Sequence, residues 1–151
     1  GRYKGVMQIV HEIVHEETYE FTPSDGSPPI FIRSGALRDT LMADHMDKVI
    51  DLVFPECSIA EIHATHGIEL ERMKTMTAEE AAEPVIVGQL GKTFILIDGG
   101  HRRLFWALRG VQTLRGWNLP AEFWRLYEYD PRSIVGYVDK SGMGLPQRRN
   151  K

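Results

Sequence analysis

The residues best placed for chemistry lie in one run, Asp98-Gly99-Gly100-His101-Arg102-Arg103. An apolar stretch, Thr93 to Ile97, stops at Asp98-Gly99-Gly100, and Leu104-Phe105-Trp106-Ala107-Leu108 then reads as a helix. A strand that passes through a glycine turn into a helix start makes an anion pocket. The glycines let the main chain approach closely, the first helical turn has N–H groups without intrahelical acceptors, and the arginines add positive charge. The ligand this chemistry suits is a phosphate, carried on a nucleotide or on a nucleic acid. Gly99, Gly100, His101, Arg102 and Arg103 are the candidate phosphate-binding residues. Asp98 could hold a metal, act as a base or cap the helix, and the sequence leaves all three open. No metal-ligating set is assigned.

The surrounding pattern supplies the elements that would hold this loop. Val85-Ile86-Val87 reads as a short buried strand, Gly88 to Lys92 as a turn, and Thr93 to Ile97 as a second strand. The loop helix runs from Arg102 to Arg109 and stops at Gly110. A loop through Gly116-Trp117-Asn118-Leu119-Pro120 follows, then a third strand from Ala121 to Tyr127. Asp130-Pro131 opens a last helix reaching Val138, with Asp as cap and Pro in the first turn. Phe105, Trp106 and Leu108 suit a core better than base stacking, and Ala107 is small enough to pack on a sheet.

The first half is less ordered by pattern. Residues 7–15 carry apolar groups at helical spacing, and their β-branching keeps a strand open. Thr18–Thr22 and Ile30–Arg33 fit a hairpin around a Pro23–Pro29 loop. The apolar positions Leu37, Leu41, Met42, Met46, Val49, Ile50 and Val53 predict a long helix over about 36–54, ended by Pro55. Ser58 to Gly67 fits a short helix and Ile68 to Met73 a strand. Thr77-Ala78-Glu79-Glu80 is a capping-box pattern for another short helix, terminated by Pro84.

Together, Pro84–Val87, Phe94–Ala107 and Leu119-Pro120-Ala121 resemble the core of the ParB/sulfiredoxin superfamily. The resemblance covers roughly 75–140. It implies an α+β fold, a small mixed sheet with packed helices, and a loop at Gly99–Arg102 that grips nucleotide phosphates. The core would then span 71–141, with an N-terminal elaboration over 1–70 and a basic tail over 142–151. Sulfiredoxins carry a cysteine immediately before the His-Arg pair; Gly100 stands there, which removes sulfinic-acid reductase chemistry. Chromosome-partitioning members have glutamate and arginine where this chain has Gly100 and His101. The Asp-Gly-x-His-Arg form is closer to the free serine kinase branch and to phage, plasmid and DNA-modification relatives. That likeness implies ATP or CTP with Mg²⁺ as cofactor, and a nucleotide-dependent phosphotransferase or phosphohydrolase with Asp98 and His101 as its candidate catalytic residues. The alternative is a non-catalytic DNA-binding module of a mobile element. Asp98, Glu79, Glu80 and Glu83 form no compact acidic motif, so binding is better supported than nuclease activity.

A rival motif stands at the N-terminus. His11-Glu12-Ile13-Val14-His15 matches the H-E-x-x-H pattern, whose histidines share one helix face and could hold zinc while the glutamate activates water. Little chain precedes it to position a substrate and no second ligand-bearing helix follows, so a solvated histidine pair is the better reading. The same holds for His63 and His66, and Cys57 reads as structural.

Composition sets the outer bounds. A chain of 151 residues suits one domain with a real core. One cysteine excludes an internal disulfide and fits a reducing, cytoplasmic setting. No apolar run approaches a membrane span and no secretory leader is expected, so no membrane partner is expected. Net charge is -3, from 18 basic and 21 acidic residues, which is no general polyanion binder. Acids cluster early and arginines late, so a local basic face and a mixed solvated surface remain equal alternatives. A homodimer is compatible with the sequence.

Overall fold

The computed structural model describes residues 17–56 and 73–133. Its chain forms two compact units, one from 1–40 with 122–151 and one from 41–121. The His11–His15 motif, Cys57, His63, His66, the Ser58–Gly67 helix and residues 68–72 lie outside the described residues.

In the first unit, β1 (Tyr19–Phe21) and β2 (Ile30–Ile32) pair antiparallel, with Tyr19 opposite Ile32 and Phe21 opposite Ile30. The Pro-rich loop between them holds an Asx turn, in which Ser27 N donates to Asp25 Oδ1 at 2.9 Å. Phe31 and Ile32 are buried. Residues 127–129 run beside β2: Arg33 N donates to Tyr127 O at 2.9 Å and Tyr129 N to Phe31 O at 3.0 Å. The Tyr127 hydroxyl reaches Thr40 Oγ1 at 2.9 Å, and Trp124 is wholly enclosed.

Two expectations from sequence fail on either side of this unit. The long helix over 36–54 is three elements. Helix α1 spans Ser34–Asp44, a 3-10 turn spans Met46–Lys48, and Ile50–Val53 is strand β3. Helical periodicity is ambiguous where the apolar residues are β-branched, as at Val49, Ile50 and Val53, and a strand partner then decides. The expected strand over Ala121–Tyr127 is instead helix α4, Ala121–Trp124, followed by a 3-10 turn at Arg125–Tyr127. Pro120 directly precedes it, and proline suits the start of a helix, where its missing N–H costs nothing. Asp130 does cap locally, accepting from Arg132 N at 3.0 Å, into a 3-10 turn at Pro131–Ser133. Residues 134–138 of the expected last helix lie outside the described residues.

The second unit is a four-stranded mixed sheet in the order β3-β6-β4-β5. Strand β4 is Val85–Leu90, β5 is Thr93–Asp98 and β6 is Thr113–Leu119. The expected turn over Gly88–Lys92 shrinks to Gly91 and Lys92, because Gly88 pairs with Ile95 and Gln89 with Phe94. The expected loop at Gly116–Pro120 is the end of β6. Its backbone is claimed on both sides, by β3 antiparallel (Ile50 opposite Gly116) and by β4 parallel (Ile86 opposite Trp117). Strand β3 comes from before residue 70, so the sheet is not confined to the 71–141 core read from sequence. Val85 and Ile86 are fully buried, as a strand flanked on both sides and covered on both faces requires. Trp117 is buried too, and its Nε1 donates to His45 O at 2.8 Å.

Helix α2, Ala78–Ala81, has the expected cap: Thr77 Oγ1 accepts from Glu80 N at 3.1 Å. Helix α3, Gly100–Ala107, packs Leu104 and Phe105 against Met73 and Ala81, with Trp106, Ala107 and Leu108 around them. Trp106 Nε1 donates to Ala81 O at 2.8 Å, tying α3 to α2. The helix closes in a Schellman motif, with Val111 N donating to Trp106 O and Gly110 N to Ala107 O. The fold is α+β with a small mixed sheet. Among the described residues, no helix is long and apolar enough to cross a membrane.

Candidate functional site

The loop is positioned by the hairpin before it and the helix after it. Strand β5 ends at Asp98, and Gly99 turns the chain with φ +113 before α3 begins at Gly100. That φ is closed to side chains, and the space is closed as well: a Cβ on Gly99 would lie 2.4 Å from Val85 Cγ1. Val85 is thus the floor of the turn. Gly100 differs, because a Cβ there would meet nothing within 4 Å. The approach to the first turn of α3 is open at Gly100 and shut at Gly99. Arg103 N donates to Gly99 O at 2.8 Å, so intrahelical bonding starts there and the earlier N–H groups have no acceptor in the helix.

Arg102 does not face outward. Its guanidinium Nη2 lies 2.8 Å from Asp98 Oδ2, and Nη1 donates to Pro84 O at 2.7 Å. The side chains of this pair are 9% and 8% exposed. Glu83 Oε2 stands 3.9 Å from Nη1 and is itself largely exposed. The i,i+4 spacing of Asp98 and Arg102 carries this contact. Asp98 is therefore not a free carboxylate. His101 is half-buried with its Nε2 enclosed.

Arg103 turns toward the end of β3. Its Nη2 donates to Pro55 O at 3.0 Å, and its Cζ sits 4.8 Å from the centre of the Phe54 ring. Arg109 is also held internally, over the Phe105 ring at 3.5 Å and donating to Phe105 O at 2.8 Å. Three arginines of the expected basic face thus have partners within their own unit. Beside Arg103 a recess of about 80 Å³ is lined by Phe54, Pro55, Ala107, Val111 and Leu114 among others. Small-molecule clefts run to roughly 300 Å³ and more, so this recess is too small for a nucleoside.

The phosphate part of the implied cofactor fits the loop, since Gly100 leaves the helix start open to an anion. The Mg²⁺ part fits less well, because the Asp98 carboxylate is enclosed against a guanidinium. Among the described residues no group of three or more His, Cys, Asp or Glu could hold a metal ion.

The structure therefore brings Asp98, Gly99 and Arg102 into one packed unit, leaves the Cβ position of half-buried Gly100 unobstructed, and directs Arg103 elsewhere. Sequence reading missed Pro84, Val85, Phe54 and Pro55 as partners of the loop. Pro84 was legible as the end of the short helix opened by Thr77, but nothing local indicated that its carbonyl would receive Arg102. Comparison with known proteins finds no family model, curated protein or solved structure that matches the chain.

Proposed function

We propose that this chain is a phosphate-binding domain of the ParB/sulfiredoxin type, taking a nucleotide or nucleic-acid phosphate at the start of α3. One observation carries the reading: a β-hairpin delivers the chain through Gly99 to a helix N-terminus that is open at Gly100. The N–H groups of the first turn and the positive end of the helix dipole suit an anion. Binding, and not turnover, is the better-supported activity, because the one carboxylate in the loop is engaged by Arg102. A base role for Asp98 would need that pair to open.

Titration calorimetry with MgATP, MgCTP and a short DNA duplex tests this reading and separates its ligand sources. Gly100→Glu adds a carboxylate where no protein atom obstructs it. Acid in the first turn favours the helix by about 0.3–1 kcal/mol, so the fold is expected to survive. Phosphate binding is expected to fall by about tenfold or more from the added like charge, equivalent to about 1.4 kcal/mol. If the wild-type chain binds none of the three ligands, the reading fails.

A further inference from the structure

We infer that Arg102 is a positioning residue and not a phosphate contact, an assignment that rests on the phosphate-binding reading above. The argument is one of donors and burial. The two terminal nitrogens of the guanidinium are directed at Asp98 Oδ2 and Pro84 O, at 2.8 and 2.7 Å. Turning Nη2 to a ligand would take the guanidinium from a carboxylate that is 8% exposed, turning Nη1 would take a donor from Pro84 O, and the remaining N–H groups belong to a side chain only 9% exposed; separating a buried pair is strongly unfavourable.

The clamp also has a geometric consequence. It joins the end of β5, at Asp98, to the residue before β4, at Pro84. Val85, the next residue, is the one packed under Gly99. Arg102 and Val85 therefore set the height and tilt of the Gly99–Gly100 peptide between them. The fork of the guanidinium matters here, since it presents two donors in fixed directions where an ammonium is a single point charge. In this arrangement the grip on phosphate falls to the main chain at Gly100 and His101, and the loop arginine holds that main chain in place.

Asp98→Ala separates the two roles. It removes a negative charge near the anion. If Arg102 contacts phosphate directly, freeing it from Asp98 strengthens binding or leaves it unchanged. If Arg102 positions the loop, binding of MgATP or MgCTP weakens by about tenfold in protein that is still folded by circular dichroism, as when the supporting partner of a binding group is lost. Equal or tighter binding overturns the inference. Side-chain nitrogen spectra of the wild-type full chain give a second arm that needs no variant. Arg102 should show hindered guanidinium rotation with separate Nη signals, unchanged on saturation with either nucleotide. Averaged, solvent-like signals in the free protein, or a large shift on saturation, overturn the assignment. Should the wild-type chain bind no nucleotide, the phosphate reading fails, and the free-protein spectrum alone still decides whether the clamp exists.

Discussion

Replacing Arg102 by alanine should be among the most destabilising single changes in the second unit. The substitution removes both bonds of the clamp at once. It leaves the Asp98 carboxylate, 8% exposed, with its charge uncompensated, and takes a donor from Pro84 O. Breaking a buried pair in this way costs about 3–5 kcal/mol. Against a total stability of roughly 5–15 kcal/mol that is a large share. For a chain of this size it corresponds to a fall in Tm on the order of 10 °C. Urea denaturation of the wild type, Arg102→Ala, Asp98→Ala and the double variant gives the coupling between the two residues. A value of about 2 kcal/mol is expected for groups in one enclosed contact. The coupling should persist between about 0.1 and 1 M salt, because enclosed pairs are little screened. A cost below about 1 kcal/mol for Arg102→Ala, or a coupling abolished by salt, would mean that the guanidinium is a surface group. The clamp, and the positioning role built on it, would then be refuted.

Three further outcomes follow from the same structure. Gly99→Ala should destabilise by about 2–5 kcal/mol, combining backbone strain at φ +113 with overlap on Val85 Cγ1. Its neighbour should behave oppositely: Gly100→Ala enters open space in a helical residue and should be neutral or stabilising by up to about 1 kcal/mol, so thermal melts of the two variants should shift in different directions. Burial raises the Tyr19 phenol above its ordinary 10.0, so its contribution to stability is complete below that pH and declines as pH rises through the folded value. An alkaline denaturation series should show that decline in the wild type and lose part of it in Tyr19→Phe.

Local signals in this chain were read correctly wherever a few consecutive residues contain their own cause. The Thr77 cap, the hairpin of β1 and β2, the stop at Gly110 and the turn at Asp98-Gly99-Gly100 each arise from side chains acting on main chain within a turn or two. The site divides along the same line. That a glycine turn would deliver a strand into a helix start was legible. The direction of each arginine was not, because it depends on groups distant in sequence. Arg102 finds Pro84, 18 residues away, and Arg103 finds Pro55, 48 residues away.

By itself the sequence determined that two strands joined by a turn lead into the glycine loop and the helix behind it, while strand pairing set the turn at Gly91 and Lys92. Only the tertiary structure decided that Ile50–Val53 leaves a helical pattern to become β3, and that the glycine-bearing stretch Thr113–Leu119 is a strand. β6 has two partners, β3 and β4, and their ladder bonds compensate for a weak local preference. The β4–β5 register, with Ile86 opposite Asp98, places Val85 beneath Gly99 and brings Pro84 within reach of Arg102. The glycine turn into α3 is thus a local feature, while the support that holds it in place is built from contacts the linear chain does not announce.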